Sequence, residues 1–251
     1  MYYEIHGSGE PLVLLHGAYC TASMLGGFVP TLAEHYQVIV PELQGHGHTA
    51  DIDRPIRYEA MADDVAALLD HLGIAQADIF GYSMGGGVAF RLAIQHPGKV
   101  RKLVAASVSS TESAMYPEVL AGIQEITPEI FEGTPFYDEF VRVAPDPDTF
   151  PRLVGKLKDL DAQPYAWPDA EIRAIPAPTM IVMGDADVIR PGHAVELFEL
   201  RGGGVPGDLT GLPNARLAIL PGTTHIGVME RADWLLPMIE EFLAAPLAEN
   251  G

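Results

Sequence analysis

The chain has 251 residues, 48% of them hydrophobic, which suits one large α/β domain with an insertion. Its 34 Asp and Glu against 15 Lys and Arg give a formal net charge of -19. That balance argues against nucleic acid or an anionic membrane as a partner, because phosphate binding needs clustered cations, and it favours a neutral or cationic small molecule. Cys20, the single cysteine, excludes an intrachain disulfide. No basic leader with an apolar core opens the chain and no apolar run reaches the roughly 18 to 20 residues that cross a bilayer, so a cytoplasmic protein is expected.

In chain order, residues 2–6 read as a short strand and 7–10 as a turn. Residues 11–16, Pro-Leu-Val-Leu-Leu-His, read as a strand apolar on both faces, the kind found in the middle of a parallel sheet. It ends in His16-Gly17-Ala18, where a glycine allows a sharp turn that aims a backbone N–H, that of Ala18, back over the sheet edge. The next strand, 36–40, leads into Pro41-Glu42-Leu43-Gln44-Gly45-His46-Gly47-His48-Thr49-Ala50. Residues 45–50 fit the dinucleotide fingerprint, yet Asp51, Asp53 and Pro55 stand where a phosphate-binding helix should start, which argues against a nucleotide. His46 and His48 lack a nearby third ligand, which argues against a metal.

Met61, Val65, Leu68, Leu69 and Leu72 recur at spacings of three and four and predict an amphipathic helix over 58–71, ended by Gly73. An apolar strand, 77–80, then runs into Gly81-Tyr82-Ser83-Met84-Gly85, and a helix over 86–96 runs out of it until Pro97. A serine with glycine at both second neighbours, between a strand and a helix, predicts a turn so tight that only hydrogen side chains fit beside it. Ser83 would stand on that corner, with the N–H groups and positive dipole end of the helix pointing back at it. Tyr82 either flanks a pocket or packs. Residues 100–108 form another buried strand, so the order strand, helix, strand, helix, strand predicts a doubly wound sheet.

Between 109 and 175 the pattern breaks. Prolines are dense among scattered bulky residues, including Met115, Tyr116, Phe131, Tyr137, Phe140, Leu157, Tyr165 and Trp167. Short helices joined by stiff turns, placed as a cap over the sheet mouth, would suit this composition. A strand over 179–183 leads into Gly184-Asp185-Ala186-Asp187, followed by a helix over 193–200 and a glycine-rich surface loop over 201–213. The last strand, 216–220, is followed by Pro221-Gly222-Thr223-Thr224-His225. A closing helix over 233–244 carries two stripes, Trp234, Met238, Phe242 and Leu235, Ile239, Leu243, and residues after Ala245 read as a frayed tail.

Candidate chemistry therefore falls at four strand ends: His16-Gly17-Ala18, Ser83, Asp185 or Asp187, and His225. Loops at the carboxyl ends of strands gather in one crevice of an open α/β sheet, and the order Ser, acid, His is that of a hydrolase triad. Over nearly the whole chain apart from 109–175, the sequence resembles the α/β-hydrolase fold superfamily, of the cofactor-free serine esterase type. The resemblance implies an α/β fold, a doubly wound, mostly parallel sheet with a helical cap at about 109–175 within a single domain, 1–251. It makes Ser83 the nucleophile, His225 the general base and Asp187 the acid that orients the imidazole. The backbone N–H groups of Ala18 and Met84 match the oxyanion hole, and no cofactor or metal is implied. Asp185, two residues from Asp187, fits a role bracing the loop, and Glu112, just past another strand, is an alternative acid. Cys20 has no elbow around it, and His16 fits a bracing role.

The chain departs from the family at Glu42-Leu43-Gln44, where many relatives carry Asp, an apolar residue and Arg before Gly-His-Gly. A charge-assisted bond that braces this loop is thus missing or replaced. The first strand of the usual N-terminal hairpin is absent or truncated. The implied reaction is hydrolysis of a small-molecule carboxylic ester, lactone or thioester through an acyl-enzyme. Three alternatives stay open: hydrolysis of a carbon–carbon bond in a ring-cleavage product, cofactor-free perhydrolase activity, and a small-molecule receptor built on the same fold.

Overall fold

The computed structural model describes residues 1–247; of the tail expected after Ala245, residues 248–251 lie outside the described residues. Seven strands among the described residues form one sheet: β1 (Tyr3–His6), β2 (Glu10–Leu15), β3 (Tyr36–Pro41), β4 (Ala77–Tyr82), β5 (Val100–Ala106), β6 (Thr179–Ala186) and β7 (Ala215–Thr224). Their order is β1-β3-β2-β4-β5-β6-β7, with β1 antiparallel to β3 and every other pair parallel. The helices are α1 (Val29–Leu32), α2 (Tyr58–His71), α3 (Met84–Gln95), α4 (Pro117–Gln124), α5 (Pro135–Val143), α6 (Phe150–Asp161), α7 (Asp169–Ala174), α8 (Pro191–Leu200), α9 (Gly207–Thr210) and α10 (Ala232–Ala244).

The continuous apolar runs of the central strands are explained by their two covered faces. Side chains alternate across a strand, so Val13, Leu15, Ile79, Leu103 and Ile181 enter one core with α2, α3 and α8. Leu12, Leu14, Phe80, Val104 and Val182 enter the opposite core with Phe28, Leu235 and Ile239, beside α1 and α10. The glycine-rich start of α3 lets that helix lie close to the sheet: a Cβ on Gly86 would stand 3.1 Å from the Val108 side chain. α3 begins at Met84, two residues before the expected start, because its first turn grows directly out of the elbow.

The segment between β5 and β6 folds as short helices with proline at their starts, at Pro117 of α4, Pro135 of α5 and Pro151 of α6. Proline suits a first helical turn, where its missing N–H costs nothing, so the dense prolines act as helix starts. Phe131, Phe140 and Tyr137 gather around Phe150, with centroid distances of 5.5, 5.1 and 5.0 Å, and Tyr19 meets Phe131 in a tilted contact at 4.4 Å. These rings fasten the insertion to the loop after β2.

One local expectation is corrected. Residues 201–213 are not all surface loop: Arg201 is buried and donates to the carbonyls of Ile172, Ile175 and Ala177, tying α7 to the base of β6, and α9 interrupts the remainder. Of the two stripes of α10, that of Trp234 is the more open, since Trp234 is 39% exposed with the Arg231 guanidinium 4.6 Å from its ring. Leu235, Ile239 and Leu243 make the buried face, joined by Phe242.

Candidate active site

Ser83 follows β4 and caps α3 with φ 54° and ψ -119°, a backbone conformation L-residues rarely adopt. Two hydrogen bonds hold it there: its N–H donates to the Ala106 carbonyl at 2.9 Å, and its own carbonyl accepts from Gly87 N–H at 3.0 Å. The flanking glycines are required by contact. A Cβ on Gly81 would collide with the Gly85 carbonyl oxygen, and one on Gly85 would come within 2.6 Å of the His16 carbonyl oxygen. Gly17 crosses directly over this corner, because its Cβ would meet the Tyr82 ring at 2.9 Å and the Ser83 Cβ at 3.4 Å.

β6 and β7 deliver the other two groups. His225 Nδ1 lies 2.7 Å from Asp187 Oδ1, and its Nε2 lies 2.9 Å from Ser83 Oγ. An ionised carboxylate only accepts, so the ring proton sits on Nδ1 and the free pair of Nε2 accepts the Ser83 hydroxyl. Asp187 is 5% exposed; its Oδ2 accepts the Ser107 hydroxyl at 2.6 Å and its Oδ1 the Ile189 N–H at 3.3 Å. Burial pushes its carboxyl up, but the hydrogen bonds from His225, Ser107 and the Ile189 N–H, with the electrostatic attraction of the His225 side chain, outweigh burial and hold it below its usual range. It is therefore ionised at neutral pH.

Asp185 does not reach His225. It lies exposed on β6 and accepts the Thr223 N–H at 3.1 Å, bracing the turn that leads to His225. Glu112 lies in a short turn, Glu112–Ala114, whose backbone N–H donates to the Tyr165 carbonyl; it makes no bond to the imidazole. Ala18 and Met84 border the same cavity as Ser83 and His225. Met84 is the first residue of α3, so its N–H has no intrahelical acceptor.

His16 is fully buried: its Nδ1–H donates to the Gly17 carbonyl at 2.8 Å and its Nε2 accepts the Leu43 N–H at 3.0 Å, joining the loops after β2 and β3. Burial lowers its pKa, so the ring stays neutral. His46 Nδ1–H donates to the Gln44 carbonyl at 3.0 Å, whereas His48 Nδ1–H donates to Glu42 at 3.0 Å, so the two rings serve separate partners. Burial pushes the Cys20 thiol up to about 12, which leaves it protonated and poorly nucleophilic at neutral pH.

Several supporting groups escape sequence reasoning. Tyr82 is buried and its hydroxyl donates to the His225 carbonyl at 3.0 Å, fixing the backbone that carries the imidazole. Ser107, with φ 53°, anchors Asp187 from the end of β5. The substituted loop after β3 is braced by other means. Glu42 is buried and accepts the backbone N–H groups of Ala22 at 3.0 Å and His48 at 2.5 Å. Gln44 accepts from Arg54 Nε at 2.8 Å and donates to Asp51 at 2.9 Å. The run of serines after an apolar strand was the available signal for Ser107; for Glu42 it was an acid at the end of a buried strand.

A cavity of about 120 Å³ opens above Ser83 and His225. Met115, Ile123, Leu157, Leu160 and Tyr165 from the insertion line it opposite Val188 and Ile189.

A doubly wound sheet that brings a strained serine, a histidine and a buried acid together at its carboxyl edge defines a hydrolase-type architecture. Residues 10–186 match the alpha/beta hydrolase fold, and the chain is an enzyme of that family. A pimeloyl-acyl-carrier-protein methyl ester esterase of Neisseria meningitidis serogroup B is 28% identical over 258 residues, 95% of this chain and 94% of its own. A 2-hydroxymuconate semialdehyde hydrolase of Pseudomonas sp. strain CF600 is 30% identical over 207 residues, 74% of this chain and 73% of its own. The crystal structure of an enol-lactonase from Burkholderia xenovorans LB400 shares the fold with a TM-score of 0.74 and 23% identity, covering 97% of this chain and 96% of that one. No helix among the described residues is long and apolar enough to cross a membrane.

Proposed function

We propose that this protein is a serine hydrolase that cleaves carboxylic esters of small, largely apolar substrates through an acyl-enzyme. The observation that carries the proposal is the continuous hydrogen-bonded chain from Ser83 Oγ through His225 to Asp187. His225 Nε2 takes the Ser83 proton as Oγ attacks the ester carbonyl, and the buried carboxylate of Asp187 stabilises the imidazolium. The N–H groups of Ala18 and Met84, with the N-terminal end of α3, stabilise the oxyanion; such a donor is typically worth about 3 to 4 kcal/mol. As the tetrahedral intermediate collapses, the alkoxide leaves with the proton from His225 and the acyl group stays on Ser83 Oγ. A water then gives its proton to His225, attacks the acyl carbon, and releases the acid while Ser83 regains its proton.

Esterase activity in a relative of nearly full coverage supports this reading. The Pseudomonas relative raises carbon–carbon bond hydrolysis as the second reading. A ring-cleavage dienoate carries a carboxylate, however, and among the described residues the cavity is lined by Asp161 with no Lys or Arg, which favours the ester. The test is a panel of esters of graded acyl length with a lactone and a ring-cleavage dienoate, run on the wild type and on Ser83→Ala. Steady ester turnover lost in a normally folded Ser83→Ala supports the proposal. Dienoate cleavage exceeding ester cleavage would transfer it to the second reading, and a single burst leaving ligand bound covalently would indicate a receptor.

A further inference from the structure

Asp161 is the last residue of α6, and with Leu157 and Leu160 of that helix it lines the cavity that holds Ser83 and His225. The same lining holds Ile123, Tyr58 and Tyr165 beside Ser83, Ser109 and His225. Burial alone pushes the Asp161 carboxyl up to about 6; no hydrogen bond and no cation offsets that push. Among the described residues no Lys or Arg lines the cavity. Asp161 is half-buried where Asp187 is buried, and the two differ in partners: Asp187 takes three donors on its two oxygens. Asp161 has none among the described residues.

Its position also bears on the reaction proposed above. The attacked carbonyl becomes an oxyanion, and an unneutralised carboxylate facing the same cavity opposes that charge. A donor brought by the substrate would remove the opposition and satisfy the acid together, so its effect falls on turnover as well as on binding. A substrate carboxylate would add a second negative charge instead.

We propose that Asp161 is a specificity-determining residue: it receives a hydrogen-bond donor, an ammonium or hydroxyl group, carried by the ester, and it rejects esters that carry a carboxylate. This inference rests on the ester-hydrolase reading for its substrate class.

The test compares methyl esters of hexanoic acids whose far end carries an ammonium, a hydroxyl, a methyl or a carboxylate group. In the wild type kcat/KM should be highest for the donor-bearing esters and lowest for the carboxylate. In Asp161→Asn the ratio of kcat/KM for the ammonium ester to that for the carboxylate ester should fall by about 10- to 100-fold, as expected when a charge-assisted bond is lost. A ratio cancels any difference in the amount of folded enzyme. An unchanged ratio overturns the inference. If the hydroxyl ester leads, the natural donor is neutral; if the ammonium ester leads, it is cationic; both support the role of Asp161. Calorimetric binding of hexylammonium to the wild type and to Asp161→Asn needs no turnover. If no ester is hydrolysed, the proposed reaction fails, while at least tenfold weaker binding to the variant would still support Asp161, and equal binding would overturn it.

Discussion

Asp187→Asn removes one charge and almost no volume. In the wild type, Oδ1 takes the His225 Nδ1–H at 2.7 Å and Oδ2 takes the Ser107 hydroxyl at 2.6 Å. An amide oxygen can replace Oδ1, and the amide NH₂ can turn to Ser107, whose hydroxyl oxygen accepts. The ring can therefore keep its place, and the loss should come mainly from charge. When His225 holds the Ser83 proton, imidazolium and carboxylate charges about 4 Å apart attract by about 4 kcal/mol at an effective dielectric of about 20. Losing that attraction lowers kcat by about 10³, and a partial shift to the wrong tautomer extends the range to about 10⁴. Steady-state ester hydrolysis by Asp187→Asn, Asp185→Asn and Glu112→Gln, measured side by side, gives the answer. Asp185 and Glu112 make no bond to His225, so their variants should lose less than about tenfold. A larger loss in Asp185→Asn or Glu112→Gln would refute the assignment of the acid.

The remaining predictions concern stability. The Asp161 carboxyl is raised from 3.8 to about 6 by burial, so the fold favours its protonated form. Below about pH 4 both states hold the proton and no cost arises; between about pH 4 and pH 6 the unfolded chain ionises first, and stability falls. Urea unfolding should therefore find Asp161→Asn more stable than wild type by about 1 to 3 kcal/mol at pH 7.5 and by less than about 1 kcal/mol at pH 4, and a pH-independent difference would contradict the half-buried, unpaired carboxyl. Gly85→Ala, which drives a Cβ against the Leu15 and His16 carbonyl oxygens, should cost about 1 to 3 kcal/mol or more and lower ester turnover. Gly98→Ala, where a Cβ meets nothing within 4 Å, should be close to neutral in the same urea unfolding experiment.

What could be read from the chain and what could not divides along a physical line. The doubly wound sheet was legible because strands covered on both faces leave continuous apolar runs, and Ser83 because a tight corner demands glycine at 81 and 85. Asp187 stood out from Asp185 only through the family pattern; the geometric reason is that Asp187 turns inward past the end of β6 while Asp185 is exposed. Contacts made across the fold left no local trace. The Tyr82 bond to the His225 carbonyl joins residues 143 apart, where the order number of each says nothing of the other. Likewise Lys156, Lys158, Asp159 and Asp161 look alike as charged residues on one helix, and only the docking of α6 turns Asp161 to the cavity. The short helices Ala22–Leu25 and Val29–Leu32 are too brief for any periodicity to mark them. At Glu42, where the usual charge-assisted bond is missing or replaced, the carboxylate accepts two backbone N–H groups instead.

The central claim is that Ser83, activated by His225, is the nucleophile. Treating the protein with an alkyl fluorophosphonate and mapping the adduct by mass spectrometry tests it most directly. One mass increment is expected on Ser83, abolished in Ser83→Ala and strongly slowed in His225→Ala. Labelling at another residue, or none, would contradict it.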